Sequence, residues 1–233
     1  MKKILIGIFA HPDDEGFGPS GSLYKAAQSD TDVHLLLVTD GGGGQNFDNV
    51  EDLAATRVKE WQESGSLIGA TSLHRLGYED GTLCNQVYPE LADKVLELIQ
   101  AILHTYSGDV ELSMLTLDPN GLTGHIDHIV VSNVATLVFE RLKQGTPAHL
   151  ELGELRYYCV CKDFAPTVRS EWIYSPAGHE EREFDEIVDI SDVYPKKVEI
   201  MHAHKSQTTD LNNLLDHAKN NRCAKKEFFI YYK

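Results

Sequence analysis

Four short apolar runs, separated by segments long enough for helices, set the tightest limit on how this chain folds. The runs are Lys3–Ala10, Val33–Thr39, Ser72–Leu76 and Glu111–Leu117. Between them lie Ser20–Ala27, Val50–Gly69 and Tyr88–Tyr106, and Ile126–Lys143 follows the last. Leu53, Ala54, Arg57, Val58, Trp61 and Leu67 fall at helical spacing, as do Leu91, Val95, Leu98, Ile99 and Ile102. Gly69 is the expected stop of the long helix. Buried strands joined by such helices imply βαβ crossovers. The expected fold is Rossmann-like α/β: a mainly parallel sheet, helices on both faces, and an active site at the strand carboxyl ends. The later sequence is less regular. Leu155–Cys161 and Phe184–Ile190 read as strands, Val193–His204 and Asp210–Asn221 as helices. With no repeat or long linker, residues 1–233 read as a single domain, and 145–153 is only a weak candidate boundary.

The net charge of −15 argues against a nucleic-acid backbone or an anionic membrane as partner. No stretch approaches the ~20 apolar residues of a membrane span. The apolar run at the start ends in His-Pro-Asp-Asp-Glu without a cleavage site, so it reads as a first strand and the protein as cytoplasmic. Cys84, Cys159, Cys161 and Cys223 fit no zinc ribbon or redox pair, and reduced thiols are expected. Cys159 and Cys161 would be small packing residues of one strand. The sequence leaves homo-oligomerisation open.

Polar residues gather where the strands end. His11-Pro-Asp-Asp-Glu15 follows the first, Asp40-Gly-Gly-Gly-Gly44 the second, and Glu79-Asp80-Gly81 the third. Asp118-Pro-Asn-Gly121 and Gly124-His-Ile-Asp-His128 follow the fourth. Zinc binds His nitrogen and carboxylate oxygen, and catalytic sites keep three protein ligands and one open position. The first loop offers His11, Asp13, Asp14 and Glu15; the fourth offers His125, Asp127 and His128. This set can hold one ion and leave a carboxylate free as base. The remaining histidines, including His179, read as structural or surface.

Ala10-His-Pro-Asp-Asp-Glu15 with Gly124-His-Ile-Asp-His128 resembles the LmbE-like, or PIG-L, family of N-acetylglucosaminyl deacetylases. Arg57-x-x-Glu60, Leu76-Gly-Tyr-Glu-Asp-Gly81, Lys197 and His204-Lys-Ser-Gln207 are further echoes. Ile126 departs from the family's frequent proline. The resemblance implies His11, Asp14 and His128 as zinc ligands, with iron(II) compatible with the same donors. It implies Asp13 as general base and His125, as a cation partnered by Asp127, as oxyanion stabiliser and acid. Arg57 and Asp80 resemble substrate-binding residues, and Glu15 a supporting one. The implied reaction is removal of acetyl from an N-acetylated amino-sugar conjugate, a small-molecule substrate.

Three other readings compete, one of them a non-catalytic binding or regulatory protein of this fold, whose expected mark, loss of Asp13 or of a ligand, is missing. Gly16-Phe-Gly18-Pro-Ser-Gly21 matches the dinucleotide fingerprint, with Asp40 nineteen residues beyond Gly21, as in a nicotinamide or flavin oxidoreductase. Against it, Asp13, Asp14 and Glu15 stand where a pyrophosphate would bind. The same metal chemistry on a non-sugar amide is the last, since substrate choice rests in loops such as 42–49 and 178–183.

Overall fold

The computed structural model describes residues 1–47, 49–145, 149–165 and 176–233. In chain order the elements are β1 (Lys2–Phe9), α1 (Asp14–Phe17), α2 (Ser20–Ala27), β2 (Thr31–Thr39), α3 (Leu53–Ile68), β3 (Ser72–Tyr78) and α4 (Tyr88–Leu103). They continue as β4 (Val110–Leu117), α5 (Ile126–Gln144), β5 (Leu150–Cys159), β6 (Glu186–Asp189), α6 (Tyr194–Met201), α7 (Thr208–Ala218) and β7 (Lys226–Tyr231). One sheet runs β3-β2-β1-β4-β5-β7-β6. The first five strands are parallel, and β7 and β6 join antiparallel at the β5 edge. The α/β class expected from the alternation is therefore the observed one.

Side chains of β1 alternate between two cores. Ile4, Ile6 and Ile8 pack with α4 and α5 on one face. Leu5 and Phe9 pack with Leu23 of α2, Val58 and Trp61 of α3, and Ile200 of α6 on the other. Burial on both faces explains why the strand reads as an unbroken apolar run rather than an alternating one. The α3 helix begins at Leu53, where Asp52 accepts the Ala55 N–H at 2.9 Å. It ends at Gly69, which takes φ +84° and donates its N–H to the Gly65 carbonyl. The strand order reverses between β1 and β4. Loops leaving these neighbours point in opposite directions and open a crevice at the carboxyl edge.

The structure corrects three readings. Strand β5 begins at Leu150, five residues before the expected Leu155, because Glu151, Gly153 and Glu154 hide its start and a bulge shifts its register against β4. Strand β7 was not expected at all, since Glu227 interrupts its apolar pattern. Cys161 and Cys223 form a disulfide rather than remaining reduced, whereas Cys84 and Cys159 are free. Sixty-two residues separate the pair, and only the β5–β7 pairing brings them together. Residues 146–148 of the candidate boundary and Asp48 of the 42–49 loop lie outside the described residues. Among the described residues, no helix is long and apolar enough to cross a membrane.

Glu227 explains its own burial. Its carboxylate accepts the N–H groups of Gly21 and Ser22 at 2.9 and 2.7 Å, at the start of α2. It also pairs with buried Lys197 at 2.6 Å, and the Lys197 ammonium donates to the Gly18 carbonyl. A β-carbon on Gly21 would come within 2.9 Å of the carboxylate, so the glycine permits the close approach. The helix start that resembled a pyrophosphate cradle is filled by the chain's own anion. Removing that anion strands a buried ammonium and two amide donors. Glu227→Ala should therefore lower unfolding free energy by about 3–5 kcal/mol, with Glu227→Gln less damaging. Urea unfolding checks this, and an unchanged midpoint for Glu227→Ala would refute the assignment.

Candidate active site

Two loops at the β1–β4 crevice build the site. Strand β1 passes directly into His11-Pro-Asp-Asp. Asp13 takes φ +124°, a strained conformation for a residue with a side chain. The turn lets Asp14 fold back, so that its Oδ2 accepts the N–H groups of Ala10 and His11 at 3.0 and 2.9 Å. After β4, Gly121 takes φ +79°, and a β-carbon there would lie 2.9 Å from the His125 carbonyl. That tight turn aims the Gly121 carbonyl at His128 Nδ1, 2.9 Å away.

These partners fix the histidine tautomers. A carbonyl only accepts, so His128 Nδ1 carries the proton. His11 Nε2 lies 3.0 Å from Asp80 Oδ1 and 3.4 Å from Asp127 Oδ2, and it too is the donor. In the neutral rings, His11 Nδ1 and His128 Nε2 are then both lone pairs, and they face each other at 2.9 Å. Asp14 Oδ1 is 3.2 Å from His128 Nε2, while Asp14 Oδ2 is 3.9 Å from His11 Nδ1. Two imidazole acceptors and a carboxylate around one point repel one another until a cation lies between them. The donor types and spacings fit zinc, and each histidine has the outer hydrogen bond typical of a metal ligand. His125 also has a ring nitrogen within 4.8 Å of this pair.

Charge follows the same logic. Burial pulls the His11 imidazole down, but its hydrogen bonds to Asp127 and Asp80 and the Asp14 charge outweigh it and raise it to about 10, so with no metal bound a proton takes the cation's place between His11 Nδ1 and His128 Nε2. Burial works against ionised Asp14 too, yet the His128 charge and hydrogen bond hold its carboxyl well below the usual range. Burial pushes Asp13 up to about 6, against the pull of Arg57. A carboxylate raised in this way is suited to take a proton near neutral pH.

Arg57 and Asp80 face inward. Arg57 is buried and donates to the Gly41 and Pro12 carbonyls at 2.6 and 2.7 Å and to Asp13 Oδ2 at 2.7 Å. It straps the loops after β1 and β2 together and orients Asp13. Asp80 supports His11 and accepts the Gly43 N–H at 3.0 Å. Asp127 does not place its carboxylate on His125, as the family analogy implied. That carboxylate binds His11 and accepts the N–H groups of Gly81 and Leu83. It is the Asp127 backbone N–H that orients His125, donating to its Nδ1 at 3.1 Å. Nε2 of the exposed His125 ring is left as a proton donor. Burial, then the charges of His11 and His128, lower the His125 pKa.

Glu15 takes the supporting place that the resemblance implied, and what the sequence did not give is its partners. Glu15 accepts from Ser64 at 2.6 Å, meets His204 at 3.0 Å and accepts the Asp13 N–H at 3.3 Å. Glu60 accepts from the N–H and hydroxyl of Ser206 at 2.8 and 2.6 Å. The Arg57-x-x-Glu60 and His204-Lys-Ser-Gln207 segments, noted separately in the sequence, thus touch each other behind the site.

The family model described as GlcNAc-PI de-N-acetylase, PIG-L, matches residues 6–139, more than half the chain. The chain belongs to this family. The PIG-L chain is 26% identical to a 1D-myo-inositol 2-acetamido-2-deoxy-alpha-D-glucopyranoside deacetylase of Mycobacterium sp. strain JLS, covering 94% of this chain and 79% of the relative. It is 28% identical to a diacetylchitobiose deacetylase of Thermococcus kodakarensis, covering 89% and 70%. The solved N,N'-diacetylchitobiose deacetylase of Pyrococcus horikoshii shares the fold, with TM-score 0.66, 22% identity, and coverage of 99% of this chain and 84% of that one. Ile126 opens α5 and lies on the surface.

The inward position of Asp80 gives a direct test. Asp80→Asn removes a charged acceptor of the His11 Nε2–H and should weaken zinc binding by roughly 10–100-fold. Competition with a chromophoric chelator measures it. Unchanged zinc affinity with a raised KM would instead make Asp80 a substrate contact.

Proposed function

We propose that this chain is a metal-dependent N-deacetylase that hydrolyses the acetamide of an N-acetylglucosamine-type conjugate. The observation carrying the reading is the facing pair His11 Nδ1 and His128 Nε2 beside Asp14, with His125 next to the pair and Asp13 held by Arg57. A divalent ion held by His11, Asp14 and His128, zinc or iron(II), would polarise the acetamide carbonyl and lower the pKa of water towards ~7. Asp13, held by Arg57 and by its own strained backbone, accepts the proton of the attacking water. The water oxygen bonds to the carbonyl carbon. His125 Nε2–H donates to the oxygen on which negative charge develops, a contribution worth far more in a preorganised site than in water. The C–N bond then breaks, and the proton held by Asp13 passes to the departing amine. The products are acetate and a free amino-sugar. Asp127 holds the β3–α4 loop and His11 in place through its carboxylate, and His125 through its backbone.

The amino-sugar class is supported by the family match and by what the relatives are named for. The oxidoreductase reading loses its anion site, since Glu227 occupies the α2 start. The sugar's aglycone is set by the loops around 42–49 and 178–183, which carry no readable code.

Acetate release from a panel of N-acetylglucosamine conjugates, with zinc-loaded protein, tests the reaction. Asp13→Asn should keep its metal and lose turnover on the order of 100- to 10,000-fold. Asp14→Asn should instead lose metal. Full turnover by Asp13→Asn, or no acetate from any amino-sugar while a non-sugar acetamide is cleaved, would overturn the reading.

A further inference from the structure

A second group of metal-ligand side chains lies at the ends of β4 and β5 and shares no residue with the catalytic set. Asp118 leaves β4, Cys159 ends β5, and His179 lies on the segment that bridges back to Cys161. Donor atoms of all three lie within 4.8 Å of one another. His179 Nε2 is 2.5 Å from Asp118 Oδ2. Cys159 is buried and free, outside the Cys161–Cys223 disulfide. None of the three takes part in the chemical steps proposed above, and His179 lies in the 178–183 loop.

The geometry points to a second transition-metal site, in which Asp118, Cys159 and His179 bind a borderline divalent cation such as zinc or cobalt. Sulfur, imidazole nitrogen and carboxylate oxygen form a zinc-type donor set. Tetrahedral bond lengths place such donors roughly 3.3–3.6 Å apart, so His179 Nε2 and Asp118 Oδ2, now 2.5 Å apart, open by roughly an ångström to admit the ion, with the Cys159 sulfur within 4.8 Å of both. Each donor sits on fixed backbone. The Asp118 N–H donates to the Tyr158 carbonyl, and its Oδ1 accepts the Asn120 N–H at 2.9 Å. His179 is pinned through both its N–H, to Val160, and its carbonyl, from Lys162. The His179 side chain is 25% exposed, which provides an entry path to the otherwise buried group. On binding, the Cys159 thiol proton passes to solvent, and the proton that His179 Nε2 donates to Asp118 is given up as the ring changes to its Nδ1–H tautomer, so that the Nε2 lone pair and the Asp118 oxygen both face the cation. The site joins the ends of β4 and β5 to the 176–180 segment. It also restrains the loop that begins at Asp118 and carries Gly121, the orienting partner of His128.

Cobalt(II) titration of the chelator-stripped, full-length, unreduced protein tests this without reference to turnover. The catalytic set contains no sulfur, so a thiolate-to-cobalt charge-transfer band in the near ultraviolet can arise only elsewhere. The expected result is two equivalents bound, with the band growing on one of them and bleaching when zinc is added. Cys159→Ser should abolish the band and retain the other equivalent. His179→Gln, at a partly exposed position, should shift the band to cobalt concentrations at least tenfold higher. Saturation at one equivalent, a second equivalent without the band, or an unchanged band in either variant would overturn the proposal.

Discussion

Two imidazoles that turn their lone pairs towards each other are the constraint on which the site depends. His11 Nδ1 and His128 Nε2 stand 2.9 Å apart because their other nitrogens are committed as donors, one to carboxylates and one to a carbonyl. Each commitment comes from a different part of the chain: Asp80 after β3, Asp127 in α5, and Gly121 in the turn after β4. The fold aims both nitrogens at one point, where a cation is bound by both: a proton when the site is free of metal, a divalent ion in its place otherwise. Preorganisation of this kind is built by the scaffold and is ready before any substrate arrives.

The topology supplies the meeting point. Reversal of strand order between β1 and β4 brings two loops together that lie more than a hundred residues apart in sequence. The strained Asp13 backbone is held from several directions: Arg57 from α3, Glu15 from α1, and behind Glu15 the His204 and Ser64 side chains. His204 comes from the segment after α6, so the C-terminal part of the chain buttresses the first loop. Through Glu15 it backs Asp13 from behind.

Much of this was legible in the sequence. Strand and helix alternation follows from local periodicity, and the rule that ligands gather at strand carboxyl ends picks out the loops that carry His11, Asp13, Asp14, His125 and His128. What was hidden depends on direction and long-range pairing. Residue type alone does not tell that Arg57 turns under the loop or that Asp80 turns to His11. Nor does it tell that Asp127 acts on His125 through its backbone while its carboxylate goes elsewhere. Glu227 hid a strand because a charge in the core looks like a surface residue until the helix it caps is known. Cys161 and Cys223 looked unrelated because their proximity is created by an antiparallel edge that Glu227 itself disguises.

Anomalous diffraction from crystals of the zinc-loaded protein tests the central claim most directly. The account predicts a catalytic-site peak bound by His11 through Nδ1, His128 through Nε2 and Asp14 through Oδ1, with Asp13 and the Nε2 of His125 off the metal. A peak coordinated by His125, or by His11 through Nε2, would contradict the tautomer argument and the assignment of base and donor built on it.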